Sequence, residues 1–170
     1  MGFVEATKTC LRKYFTFHGR ARRSEYWWFY LFTIIVAIFA AIIDGAIVGW
    51  ENSDDGLVGT LTSLALLIPS LSAGWRRLHD TGRSGWWIGG GILVIVVFLI
   101  LIIAAFGITD FDDGGSFVSN GIAGLLFIGF LIGIIVYAIT MLVFFCQDSH
   151  PGDNKYGPSP KYDSGVSVFD

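Results

Sequence analysis

The chain has 170 residues, of which 54% are hydrophobic and only 15% are charged. A soluble domain carries about a quarter of its residues as charged side chains. The low charge content excludes an ordinary water-soluble domain, and so do the long blocks that contain no charged residue. The net charge of −3 says little, because the positions of the positive and negative residues matter more than their sum.

The N-terminal segment is amphipathic but is not a typical cleavable signal peptide, because its charges are spread through it without an apolar core. One helical face collects Phe3, Cys10, Tyr14 and Phe17. Lys8 and Arg12 lie away from that face. The pattern predicts a short interfacial helix in the head-group plane. An ordered lead-in to the first span is the alternative.

Four apolar blocks follow, at about residues 26–49, 57–74, 86–108 and 121–146. Crossing about 30 Å of hydrocarbon takes about 20 residues, so the second block is marginal. Buried helices of a soluble protein are the alternative, but they would show a polar face, and Ile92–Phe106 carries no polar side chain. The sequence therefore predicts an all-α membrane protein, with a four-transmembrane-helix bundle in residues 1–150 and an irregular cytoplasmic tail in residues 151–170.

The second block contains Pro69. Proline has no amide hydrogen, so the carbonyl four residues earlier loses its helical partner. Water is absent from the bilayer core, so a neighbouring group must satisfy that carbonyl. We therefore expect the second span to be enclosed by the other three.

The basic residues lie on one side of the predicted membrane. Every Lys and Arg precedes the first block, lies between the second and third, or follows the fourth, and the other two loops carry only acidic charges. Cytoplasmic loops retain Lys and Arg. We therefore predict an inner-membrane protein with both termini in the cytoplasm.

Two motifs, residues 17–28 and 75–87, place arginines beside tryptophan pairs at the predicted cytoplasmic edge. Arginine there can bind lipid phosphate, and tryptophan fixes the depth of the helix. The candidate residues for binding an anionic lipid or a partner are Arg20, Arg22, Arg23, Glu25, Trp27, Trp28, Arg76, Arg77, His79, Asp80, Arg83, Trp86 and Trp87. A plain topological anchor is the alternative.

The two motifs should also touch. The loop between the first and second blocks is short, so the two helices should be antiparallel neighbours. Charges at a partly dry edge are costly unless paired. We expect Glu25 or Asp80 to pair with an arginine of the other motif.

These motifs resemble a known family. The runs F-x-G-R-A-x-R-x-E-Y-W and R-R-L-H-D-x-G-R-S-G-W-W, with the tail run Gly152–Pro160, are similar to the YhaH-like family of bacterial inner-membrane proteins (domain of unknown function 805). The resemblance implies bacterial origin, a place in the bacterial inner membrane and four spans, and it implies no established activity or catalytic residues. The acidic loop at residues 109–120 departs from the family pattern.

Chemistry at the motifs has weaker support. His79, Asp80 and Glu25 could serve acid–base catalysis at a lipid head group, but adjacent helical residues point about 100° apart. The His and Cys residues have no metal-ligand spacing. We predict no catalytic residues, no metal, no cofactor and no nucleic-acid partner, since the basic groups stay at the membrane edge.

Helix association is the remaining signal. Gly129 and Gly133 form a small-xxx-small pair in the fourth block, which allows close approach within the bundle, to a second copy or to a partner membrane protein. The leading interpretation is binding or assembly at the cytoplasmic face. A small transporter or channel component is the alternative, with Asp44 as its ionisable candidate, and a lipid-acting enzyme is third.

Overall fold

The computed structural model describes residues 1–49, 56–109 and 117–161. Within these ranges the chain is helical and has no named strand. Its helices are α1 (Phe3–Arg12), α2 (Arg23–Val48), α3 (Leu57–Asp80), α4 (Trp86–Thr109) and α5 (Phe117–Cys146). The predicted all-helical membrane fold is confirmed. Most of the predicted acidic loop at residues 109–120, and the end of the predicted tail, lie outside the described residues.

The long helices are apolar along most of their length. Among the described residues, Arg23–Ile47, Leu57–Asp80 and Gly124–Cys146 are long and apolar enough to cross a membrane, and Trp86–Leu101 is a shorter apolar stretch within α4. α3 continues to Asp80, six residues beyond the predicted end at residue 74. It continues because the charges of its last turns are paired inside the protein, as described below.

The chain divides into two compact units. The first unit contains residues 1–85 and 145–170, and the second contains residues 86–144. In the first unit α2 and α3 pack side by side, and α1 contacts both. In the second unit the hydroxyl of Tyr137 donates to the carbonyl of Trp87 at 2.8 Å, and the Tyr137 ring lies against Gly91.

α1 packs on the protein with the face that the sequence assigned to the membrane interface. Phe3 contacts Trp28 edge-on, with ring centroids 5.9 Å apart. Cys10 is fully buried in a core cluster with Phe29 and Ala73. The apolar face predicted for lipid therefore forms part of the protein core.

The carbonyl freed by Pro69 has a partner. The hydroxyl of Tyr14 donates to the backbone oxygen of Ala65, the position four residues before Pro69. Two turns after Ala65 along α3, the hydroxyl of Ser72 donates to the carbonyl oxygen of Lys13 at 2.9 Å. A neighbouring group therefore satisfies the freed carbonyl, and the same contacts fix the segment after α1 to α3. The expectation that this span is enclosed is wrong, because Leu61, Leu64 and Leu67 are 64%, 61% and 52% exposed.

Replacing Tyr14 by phenylalanine should destabilise the protein by about 1 kcal/mol, because the carbonyl of Ala65 then has no donor. In a Pro69→Ala background the restored amide supplies that donor, so Tyr14→Phe should cost much less. Unfolding free energies of the four proteins in mixed detergent micelles measure the difference. Equal costs in both backgrounds would contradict the pairing.

Asp44 has a structural position near the end of α2. Its carboxylate is buried and accepts hydrogen bonds from the amides of Val58 at 3.1 Å and Gly59 at 2.6 Å. These are unpaired donors of the first turn of α3, which favour a negative charge. A side chain at Gly56 would collide with Asp44. The residue considered for transport therefore caps the next helix.

Candidate functional site: an arginine cluster and a rim groove

Five charged side chains of the two motifs meet inside the first unit. This arginine cluster consists of Arg20, Glu25, Arg76, Arg77 and Asp80. Arg20 precedes α2, Glu25 lies in the first turn of α2, and the other three lie near the end of α3. None of the five side chains is more than 5% exposed. The predicted contact between the motifs is confirmed.

Each carboxylate of the cluster is paired. Asp80 accepts from Arg20 Nε at 3.0 Å through Oδ1 and from Arg77 Nη1 at 2.6 Å through Oδ2. Glu25 pairs with Arg76. Buried charges of this kind are tolerated only when they are paired and their remaining hydrogen-bonding groups are satisfied. The cluster has three arginines against two carboxylates, so its excess is one positive charge.

Backbone oxygens of the chain after α5 complete the cluster. Arg20 donates to the carbonyls of His150 and Gly152, each at 2.7 Å. Arg77 donates to the carbonyl of Gln147. The segment after α5 has no helix or named strand in its described part, and it is held against the end of α3.

The end of α3 is closed by a glycine turn. Gly82 has φ 77°, a region that favours glycine. Its amide donates to the carbonyl of His79 at 3.0 Å, and the amide of Arg83 donates to the carbonyl of Leu78 at 2.9 Å. This is the Schellman arrangement. The side chain of Asn154 adds a donor to the carbonyl of His79 at 2.9 Å.

The residues considered for acid–base chemistry have separate partners. The His79 ring lies 3.7 Å from the ring of Tyr156 and parallel to it. Its Nδ1 is 3.2 Å from the carbonyl oxygen of Gly19. Asp80 is held by two arginines, and Glu25 by another. The arrangement locks these side chains into the fold.

The exposed part of the first motif borders a groove in the first unit. We call it the rim groove and define it by Arg22, Arg23, Ser24, Trp27, Trp28, Cys146, Asp148, Ser149 and Lys161. It comprises a cavity of about 410 Å³ on the tryptophan side and one of about 230 Å³ on the charged side. Arg23 and Ser24 border both cavities. The groove therefore joins a basic half to an aromatic half.

The charges of the rim groove are exposed, unlike those of the cluster. Arg23 lies 3.8 Å from Asp148, and these side chains are 50% and 55% exposed. Lys161 donates to Asp148 at 2.7 Å, and this hydrogen bond lowers the pKa of the Asp148 carboxyl. Arg22 is also exposed. Three cations therefore face one carboxylate that stays ionised at neutral pH, an excess of two positive charges.

The remaining predicted residues lie elsewhere. Arg83 donates to Gln147 Oε1 at 2.6 Å in the first unit. Trp86 and Trp87 are exposed at the start of α4, in the second unit. Gly129 and Gly133 are exposed on α5, and a side chain added at either would meet nothing within 4 Å. In the part of the chain searched, no three His, Cys, Asp or Glu side chains could hold a metal ion.

Sequence reasoning did not identify Asp148 and Lys161, which border the groove. Both follow the last apolar block, where charge alone does not show which way a side chain points.

The two cysteines should differ sharply in reactivity. Burial, followed by the neighbouring Glu25 carboxylate, raises the pKa of the Cys10 thiol from 9.0 to about 12. At pH 8 about one Cys10 in ten thousand is then the reactive thiolate, whereas Cys146 is exposed. We expect N-ethylmaleimide to add once to the folded protein and twice after denaturation, as measured by mass.

Cys10 also gives stability a pH dependence. The folded state disfavours its thiolate, so stability should fall as pH rises above the ordinary value of 9.0. In the alkylation experiment, two rapid N-ethylmaleimide adducts on the folded protein would contradict the burial of Cys10.

Comparison with known proteins agrees with the motifs. The family described as "Protein of unknown function (DUF805)" matches residues 14–158. The chain is 32% identical to Inner membrane protein YhaH of Escherichia coli (strain K12), over 89% of this chain and 92% of that protein. It is 35% identical to Inner membrane protein YhaI of the same strain, over 91% and 93%. No solved structure matches. The chain is an inner-membrane protein that belongs to the DUF805 family.

Proposed function

We propose that this protein binds anionic phospholipid in the rim groove, at the cytoplasmic face of the inner membrane. The proposal rests on a difference in burial among the arginines of the two motifs. Arg20, Arg76 and Arg77 are buried in the cluster, whereas Arg22 and Arg23 are exposed beside Trp27 and Trp28. The one-sided distribution of Lys and Arg supports the cytoplasmic orientation.

The two halves of the groove suit the two parts of a phospholipid. Guanidinium groups bind phosphate oxygens through paired hydrogen bonds. Indole rings lie at the depth of the glycerol and upper acyl chains, where their apolar faces and N–H groups are both accommodated. Asp148 offsets part of the positive charge, so the proposal predicts a moderate preference for anionic lipid. Arg76 and Arg77 keep an internal role under this proposal.

Replacing Arg22 and Arg23 together by glutamine should weaken the binding of phosphatidylglycerol. Each basic group near an anionic surface contributes about 1 kcal/mol, so the double variant should bind about 30-fold more weakly. Native mass spectrometry with added phosphatidylglycerol or phosphatidylethanolamine measures the change.

Lys155→Gln is the matched control, because Lys155 is exposed in the tail but does not border the groove. It should leave lipid binding unchanged. A folded Arg22→Gln, Arg23→Gln protein that retains its phosphatidylglycerol would exclude the groove as the lipid site.

Assembly is a second candidate role. The open space at Gly129 and Gly133 leaves room on α5 for close approach of another helix. Replacing both glycines by leucine should dissociate an assembly formed through this face, which size-exclusion chromatography with light scattering would detect. Unchanged mass would remove that candidate. For transport, Asp44 gives little support, since its carboxylate already caps α3.

A further inference from the structure

The contacts of the N-terminal segment place it at the depth of the spans. Phe3 contacts Phe32, with ring centroids 6.5 Å apart. Phe32 lies nine residues after the first residue of α2, about 14 Å along the helix at 1.5 Å per residue. Tyr14 reaches the carbonyl of Ala65, which lies eleven residues before Arg76, about 17 Å along α3.

Both distances along the helices are longer than the part of a span that lies outside the hydrocarbon core. α2 has 26 residues, about 39 Å of helix, for a hydrocarbon core of about 30 Å. Only about 5 Å at each end then lies outside the core. Phe32 and Ala65 therefore lie below the head groups. Phe3 and Tyr14, which contact them, start close to the same depth.

One flank of this segment, beside the face that packs on the protein, carries large exposed apolar side chains. Val4, Leu11 and Phe15 are 61%, 41% and 72% exposed. Val4 and Leu11 lie two turns apart on one side of α1, with the exposed Lys8 near them, and Phe15 follows in the turn after the helix. Large exposed apolar side chains at this depth would meet acyl chains. Phe3 and Cys10, which helical periodicity predicts to face lipid, instead face the protein core.

The exposed charges agree with that placement. Lys8, Arg12 and Lys13 are exposed and outnumber the exposed Glu5. Lysine and arginine extend from an apolar helix to the phosphate level while their stems stay in the apolar region. An anionic leaflet complements the excess of positive charge.

We propose that residues 3–16 are inserted into the cytoplasmic leaflet and bind its lipid directly through Val4, Leu11 and Phe15. The segment then packs on α2 and α3 with one face and contacts acyl chains with the apolar flank beside that face. This contact is separate from the rim groove and does not depend on it.

Spin labels at the exposed positions test the proposal. In a Cys146→Ser background, the variants Leu11→Cys and Phe15→Cys are labelled with a nitroxide and placed in vesicles of phosphatidylethanolamine and phosphatidylglycerol. The chain without an added cysteine should give no signal, because Cys10 is buried. Collisions with oxygen, which concentrates in lipid, and with a water-soluble nickel chelate are then compared.

Labels at Leu11 and Phe15 should collide with oxygen more than with nickel, and a label at Lys155→Cys in the tail should show the reverse. Nickel access at Phe15 equal to that at Lys155 would overturn the proposal. Exclusion of both reagents would also overturn it, because a protein surface would then cover the face. Protection of Cys10 from N-ethylmaleimide shows that the segment stays docked in each variant. Groove variants should leave the result unchanged, so the two proposals can fail separately.

Discussion

Replacing Asp80 by alanine should destabilise the first unit by about 3–5 kcal/mol, the cost of removing one partner from a buried ion pair. Asp80 is fully buried and accepts from both Arg20 and Arg77, whose side chains are no more than 1% exposed. Without the carboxylate, two guanidinium groups remain inside the protein with only backbone oxygens as partners. The unfolding free energy in mixed detergent micelles measures the loss.

Asp148→Ala is the matched control for this change. Asp148 also pairs with two cations, Arg23 and Lys161, but its side chain is 55% exposed. Exposed pairs are screened by water and contribute at most about 1 kcal/mol. If the Asp80→Ala and Asp148→Ala proteins were equally stable, burial of the arginine cluster would add nothing to the free energy of unfolding.

Replacing Glu25 by alanine should cost a similar amount, about 3–5 kcal/mol. Its partner Arg76 is fully buried, and within the described residues Arg76 Nε has no hydrogen-bond partner. Loss of Glu25 would leave this guanidinium without a carboxylate. Cys10 Sγ lies 3.8 Å from Glu25 Oε1, so the same variant should admit N-ethylmaleimide to Cys10. A stable Glu25→Ala protein with Cys10 still protected would contradict this role.

The helices could be predicted from the sequence because composition alone determines them. A run of about 20 apolar residues in lipid must be helical, since no water is present to satisfy its backbone. The contact between the motifs followed from one short loop, which makes α2 and α3 antiparallel neighbours. The need for a donor near Pro69 followed from the missing amide, although the identity of the donor, Tyr14, did not.

The role of the arginines could not be predicted in the same way. Arginine at a membrane edge has the same sequence pattern whether it faces lipid or the protein interior. Both Arg77 and Arg23 donate to distant backbone carbonyls, those of Gln147 and Cys146. What distinguishes them is burial, since the Arg77 side chain is fully buried and the Arg23 side chain is 50% exposed. The motif therefore predicted where the arginines lie along α2 and α3 but not which of them are buried.

The N-terminal segment shows a related limit. Its apolar residues lie on two faces, and helical periodicity does not say which face meets protein. The small side chains of Ala6 and Cys10 allow close approach to α2 and α3, and both are fully buried. Larger Leu11 and Phe15 are exposed. Residue size, read together with periodicity, is the signal that separates the two faces.

A double-mutant cycle on Glu25 and Arg76 tests most directly whether the motif charges hold the fold. Replacing a buried ion pair by apolar residues of similar volume is often neutral or stabilising, whereas removing one partner is strongly destabilising. Glu25→Leu and Arg76→Met alone should each lower the unfolding free energy by about 3–5 kcal/mol, and the double variant should recover most of that loss. Costs that simply add in the double variant would contradict a structural role for the pair.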